Sequence, residues 1–143
     1  MLRVVHINTH PFGGAANAAL RLHKSLLRKG IDSTFLTIEE RKNIPRLYSY
    51  ADLSRFGWIK NPIKKYAEKK HYLNKLNWLD NKKYNPELYT HSTSFAKLEN
   101  HFLLKKADII HLHWVSGFIN YPTFFNNLNK KIIWTLHDEN PYT

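Results

Sequence analysis

Residues 3–38 read RVVHINTHPFGGAANAALRLHKSLLRKGIDSTFLTI, and the order of patterns inside that stretch decides the fold. Val4, Val5 and Ile7 make residues 3–8 a short buried strand. Gly13 and Gly14 follow at once. Residues 15–29 then place Ala15, Ala19, Leu22, Leu26 and Leu27 at helical spacing, and Gly30 stands where a helix would stop. Residues 32–38 return to a strand pattern. Strand, glycine turn, helix and strand make a βαβ unit, so the two strands are expected to run parallel.

Outward from that unit the signals weaken and then recover. Residues 39–54 contain Pro45 and read mostly as loop, with room for one short parallel strand. Asn61 and Pro62 match an N-cap and first helical position for a helix running to about residue 79. Residues 94–105 read as a short helix with Phe95, Leu98, Phe102 and Leu103 on or near one face. Residues 108–113 read as a strand, 118–129 as a helix and 131–136 as a strand. The expected fold class is α/β: an open parallel sheet with helices on both faces, as one domain over 1–143 with a basic helical insertion at about 55–85.

Composition narrows the chemistry. The 143 residues suit one domain, and 43% hydrophobic content can supply its core. There is no cysteine, which excludes disulfides and thiolate metal sites. The apolar run after Met1 is interrupted by His6 and Asn8, too short for an export signal. No stretch approaches the ~18 apolar residues of a membrane span, so a cytoplasmic location is expected. The net charge is +11, and +7 of it lies in residues 55–83, which hold nine basic and two acidic residues. Such concentration points to a polyanionic partner.

Ligands of open parallel sheets bind beyond the carboxyl ends of the strands. Polar residues gather there: Asn8, Thr9 and His10 after the first strand, then His113-Trp114, then His137-Asp138. Gly13 and Gly14 lie on the same rim, where a turn without side chains lets a ligand reach the backbone and the next helix N-terminus. Walker A is not matched, and of the dinucleotide fingerprint only the glycine pair is present, although Glu39 or Glu40 could imitate its ribose-binding acid. His111 lies deeper in its strand and reads as a packed, hydrogen-bonded core residue, as does His6. His10, His113 and His137 could gather round zinc, but no close ligand pair on a helix supports this, and no metal is expected. Trp114 and Trp134 have core character, although Trp114 at a strand end could stack on a sugar or close a cleft.

The stretches VVHINTHPFGGAANAALRLHKSLLRKGIDSTFLT, ADIIHLHWVSGF and IIWTLHDENPYT together resemble the N-terminal domain of glycosyltransferase family 4. The resemblance covers about residues 1–37 and 107–143. It implies a retaining enzyme of the GT-B architecture, with two Rossmann-like domains across a cleft, of which this chain is the acceptor-side one, incomplete at its C-terminus. The implied reaction moves a sugar from a nucleotide-sugar donor to an acceptor hydroxyl with no required metal or other cofactor, in cell-surface glycan or polysaccharide synthesis. The implied site puts His137 and Asp138 at the reacting sugar and acceptor. Gly13, Gly14 and Ala15 form the donor-phosphate and acceptor loop, and His10, His113 and Trp114 line the cleft. The family's second domain carries two glutamates separated by seven residues. Glu39, Glu40, Glu68, Glu87, Glu99 and Glu139 include no such pair, so the fragment alone is expected to be inactive.

The basic middle carries no family motif. Ile59, Ile63, Tyr66, Leu73 and Leu76 approximate one stripe, beside a basic side of Lys64, Lys65, Lys69, Lys75 and Lys82. This is either a helix packed on the sheet with a solvated lysine face or an interfacial helix on an anionic leaflet. The membrane reading uses Lys64, Lys65, Lys69 and Lys70, and makes the protein peripheral on the inner membrane face, near glycan or lipid-linked acceptors. No recognised nucleic-acid module is present. Alternatives to the transferase are another nucleotide-binding Rossmann module and a basic membrane- or nucleic-acid-binding adaptor.

Overall fold

A computed structural model of the chain describes residues 1–50, 92–94 and 96–138. The expected basic insertion with its lysines, and residues 139–143, lie outside the described residues. The chain opens with β1 (Arg3–Ile7), α1 (Gly14–Arg28), β2 (Asp32–Thr37) and β3 (Leu47–Ser49). After the insertion come a short 3-10 turn (Leu98–Asn100), α2 (Phe102–Lys106), β4 (Ile109–Leu112), α3 (Tyr121–Asn127) and β5 (Lys131–Trp134). Among the described residues five strands form one sheet in the order β3-β2-β1-β4-β5, and every neighbouring pair is parallel. The chain is therefore an α/β protein with an open parallel sheet. β1 is central, and the strand order reverses between β1 and β4.

The pleat separates two cores. Val5 and Ile7 share a face with Leu36, Ile110 and Leu112, and this larger cluster takes in Leu104 from α2 and Phe124 from α3. On the opposite face Phe35 packs against Ala19 and Leu20 of α1. Helices thus cover both faces, as parallel strands buried on both sides require.

α1 shows why a helix forms here and where its pattern misleads. Gly13, at φ 92°, is its N-cap, and no side chain caps it. At the other end Gly30 at φ 74° receives the turn: its N–H donates to Leu27 O, and Ile31 N–H donates to Leu26 O. That pair of bonds is a Schellman stop. The buried face is Ala16, Ala19, Leu20 and His23, whereas Leu22, placed in the apolar stripe by sequence, is exposed. The stripe is rotated because a histidine is one of its buried members.

Two other boundaries differ from expectation, and one open possibility is met. The helix expected over 94–105 is broken: His101 is extended (φ −71°, ψ 133°), and its Nδ1 accepts Leu103 N–H as the cap of α2. The helix expected over 118–129 shortens to α3, because Asn120 caps it through Thr123 N–H and Pro122 sits in its first turn. The loop before residue 54 does contain a short parallel strand, β3.

The amino edge of the sheet is held by ion pairs. Arg3 meets Asp108 at 3.3 Å, joining β1 to β4, and Arg46 meets Asp32. The carboxyl edge is held instead by amide, hydroxyl and imidazole groups, and these lead to the site.

Candidate functional site

All five strands are parallel, so the segments after β1, β4 and β5 emerge at one edge. Asn8 and Thr9 stitch the edge at the strand-order reversal. Trp114 N–H donates to Asn8 Oδ1 at 2.9 Å, and Asn8 Nδ2 donates to His10 O at 2.7 Å. Thr9 N–H donates to Trp114 O at 2.7 Å, and its hydroxyl donates to Ser116 O at 2.9 Å. Both side chains are buried. Their roles as stitches were not assigned from sequence, where they were only polar residues at a strand end; their partners lie more than 100 positions away.

Above the stitches lies an aromatic rim. His10 stacks between Phe12 and Trp114, with ring centroids 5.3 and 5.9 Å away. His10 Nδ1 also lies 3.5 Å from Glu39 Oε1. Trp114 Nε1 donates to Asp138 Oδ2 at 2.8 Å. Phe12 is exposed, as are His137 and Asp138.

Beneath the rim runs a chain of imidazoles. His6 Nδ1 faces His113 Nε2 at 3.1 Å, and His113 Nδ1 faces His137 Nε2 at 3.2 Å. The register explains it: His6 pairs with His111 across β1 and β4, and His113, two residues further on, faces the same side. His111 Nε2 bonds instead to Thr135 Oγ1 at 2.8 Å. Burial, reinforced by His113, His111 and His23, pushes the His6 imidazole down to about 2. Burial, then His111 and His137, push His113 down to about 3. Burial, then His137, also hold His111 below its ordinary 6.5. These buried rings are neutral at neutral pH, each with one N–H and one bare nitrogen.

That restriction couples them. The His6–His113 link runs from an Nδ1 to an Nε2, so only two polarities are possible: both rings carry the proton on Nδ1, or both on Nε2. The remaining nitrogen of His6, Nε2, is buried without a hydrogen-bond partner among the described residues. An N–H there would be an orphaned buried donor, at a cost of about 1–3 kcal/mol. This favours Nδ1–H on both rings, which points the His113 N–H at His137 Nε2.

His6, His111 and His113 each offer a ring nitrogen within 4.8 Å of the other two, so they are the residues that could hold a metal ion. The imidazole contacts and the Thr135 bond already engage one nitrogen on His6, one on His111 and both on His113. This trio differs from the His10, His113 and His137 set weighed from sequence, because His10 is turned into the aromatic rim. His6 and His111 are buried and packed as expected, but His6 also terminates the chain that reaches His137.

The glycine loop completes the edge. Gly13 needs its glycine for φ 92°. Gly14 does not have a positive φ, and a Cβ built there meets nothing within 4 Å. The first turn of α1, including Ala15, therefore presents its backbone N–H groups without a side-chain cap. The structure thus brings His10, His113, Trp114, His137 and Asp138 together by direct contacts, with Gly13 and Gly14 on the same edge. No protein-family model, curated protein or solved structure matches this chain.

Proposed function

We propose that this chain is the acceptor-side, Rossmann-like half of a retaining GT-B glycosyltransferase. In this reading a second domain holds most of a nucleotide-sugar, and the sugar passes to a hydroxyl of a glycan or lipid-linked acceptor. The observation that carries it is the shared carboxyl edge of the sheet: an uncapped helix N-terminus at the glycine turn after β1, and His137-Asp138 after β5, on either side of β4. Negative charge grows on the diphosphate as the glycosidic bond breaks. Backbone N–H groups and the positive end of α1 stabilise it where it develops. A side chain at Gly14 would project into the space that the diphosphate needs. His137 orients the donor sugar through its imidazole, Asp138 shapes the acceptor site while held by Trp114, and His113 fixes the plane of His137.

The test is sugar transfer by the polypeptide that carries both halves, followed as release of nucleoside diphosphate. His137→Ala is expected to lower turnover by about 100-fold, the scale of one lost transition-state hydrogen bond. Gly14→Val is expected to abolish transfer without unfolding the domain, since its Cβ meets open space. Residues 1–143 alone are expected to transfer nothing. Near-normal turnover in both variants removes this assignment. Tight binding of a nicotinamide dinucleotide to the chain would redirect it to another nucleotide-binding module.

A further inference from the structure

A concave surface lies between α1 and the connection from β2 to β3. The connection from β2 to β3 is a parallel crossover made without a helix, and it lies against α1. His23 Nε2 donates to Pro45 O at 2.8 Å, and Ile44 packs on the Ala19–Leu20–Phe35 cluster. Between the crossover and α1 is a groove of about 510 Å3. Leu20 and Ile44 contribute its apolar lining, and Arg21, Lys24, Arg41 and Lys42 its charge.

Three observations separate this groove from an ordinary basic surface. Its lining includes no carboxylate, and among the described residues the ion pairs of Asp108, Glu39 and Asp32 go elsewhere. Arg41 is anchored: its Nη1 donates to Pro11 O at 2.7 Å, tying the crossover to the segment before Gly13. The crossover also holds two non-glycine residues in the left-handed region, Asn43 at φ 63° and Arg46 at φ 55°. Asn43 lines the groove. Such conformations cost free energy and gather at ligand clamps and other functional positions.

We propose that this groove is a binding site for a phosphate ester carrying two phosphates. A phosphate monoester bears about −1.5 to −2 charges at neutral pH, so two phosphates match four cations where a single carboxylate would not. Two of those cations are guanidinium groups, whose planar forks suit phosphate oxygens. The volume lies in the range of small-molecule pockets, roughly 300–1,000 Å3, and is far too small for a duplex. The apolar lining accepts a short hydrocarbon or sugar portion beside the phosphates. The groove reaches Asn17, whose N–H donates to Gly13 O at 2.9 Å in the first turn of α1. On the transferase reading, and resting on it, the ligand is the phosphorylated end of the acceptor, delivered to the mouth of the glycine loop. The phosphate site itself does not depend on that reading.

The experiment is a nuclear magnetic resonance titration of the 15N-labelled chain with sodium pyrophosphate at physiological salt, with inorganic phosphate and sulfate for comparison. The expected result is saturable shifts at Asn17, Arg21, Lys24 and residues 41–43, with pyrophosphate bound ~10-fold or more tighter than phosphate. The double variant Lys24→Gln with Arg41→Gln should weaken pyrophosphate at least ~10-fold, consistent with loss of two charge-assisted contacts, while its spectrum stays folded. Replacing Lys64, Lys65, Lys69 and Lys70 by glutamine should leave these shifts in place. Shifts confined to the basic 55–83 stretch, absence of saturation, or unchanged binding by the double variant would overturn the proposal. Competition with vesicles of phosphatidic acid assigns the source: displacement of pyrophosphate marks a lipid headgroup, and persistence marks a soluble phosphate ester. Pyrophosphate binding in a two-domain protein that transfers no sugar would keep this site and remove the transferase reading.

Discussion

One proton is shared between two nitrogens on every neutral imidazole, and in this molecule that rule links two buried residues distant in sequence. His6 and His113 must carry their protons on the same named nitrogen, because their contact joins an Nδ1 to an Nε2. Two-bond 15N–1H spectra are expected to show both as Nδ1–H tautomers. In His113→Phe the His6 ring should lose that constraint and exchange between tautomers. Different tautomers on the two rings in the unmodified chain would break the argument. Sequence reading found His137 and His113 because they end strands beside other polar groups. It treated His6 as an ordinary core residue. His6 is buried, but its place in the chain depends on a neighbour 107 positions away, and no local pattern carries that distance. Gly13 and Gly14 show the same limit: the sequence makes them equivalent, and only the backbone separates a glycine needed for its φ from one with open space where a side chain would be.

Elements with a complete local signal were legible, and those defined by distant contacts were not. β1, α1 and β2 were read within a residue or two because apolar runs, glycines and helical spacing all lie inside 36 consecutive residues. β3 has three residues next to Pro45 and is a strand only because β2 pairs with it. The Asn120–Pro122 cap of α3 was present in the sequence and would have placed its start correctly. His23 joins three elements: its Nδ1 accepts from Ser33 Oγ at 2.7 Å on β2, while its Nε2–H holds the crossover at Pro45. His23→Ala would leave the buried Ser33 hydroxyl and the Pro45 carbonyl without this partner, and a cavity under α1. A loss of about 2–4 kcal/mol is expected, read as a fall in the urea midpoint. A change under about 0.5 kcal/mol, the range of ordinary surface substitutions, would show that His23 is not the clip described.

At the scale of the whole molecule, buried neutral histidines make stability depend on pH in one direction. His6, His113 and His101 are pushed down to about 2, 3 and 4, with burial the first cause in each. An unfolded histidine takes up a proton near pH 6.5, so the unfolded state binds more protons than the folded one below that pH. Stability is then full above about pH 6.5 and falls as the pH drops towards the folded values. Urea midpoints measured from pH 7.5 down to 5 should decline steadily, and a flat profile would contradict burial of these rings. A separate expectation concerns charge. Among the described residues no helix is long and apolar enough to cross a membrane. With +7 charges in residues 55–83, and each Lys or Arg worth about 1 kcal/mol near an anionic surface, the chain should co-sediment with anionic but not neutral liposomes. High salt, or Lys64, Lys65, Lys69 and Lys70 replaced by glutamate, should release it. Equal recovery with neutral vesicles, or tighter binding to plain duplex DNA, would end the membrane reading.

The central position of β1 also sets a clock on synthesis. β2 arrives soon after β1 and can cover one side of it, but the other side belongs to β4, and Arg3 meets Asp108 only 105 residues later. At roughly 5–20 residues per second of translation, the second hydrogen-bonding edge of this central strand stays open for about 5–20 seconds. An open edge is a template for pairing with other chains. The nascent chain therefore passes through a period of greatest exposure before residue 109 emerges, and the yield of soluble protein should respond to chaperone supply and growth temperature during that interval.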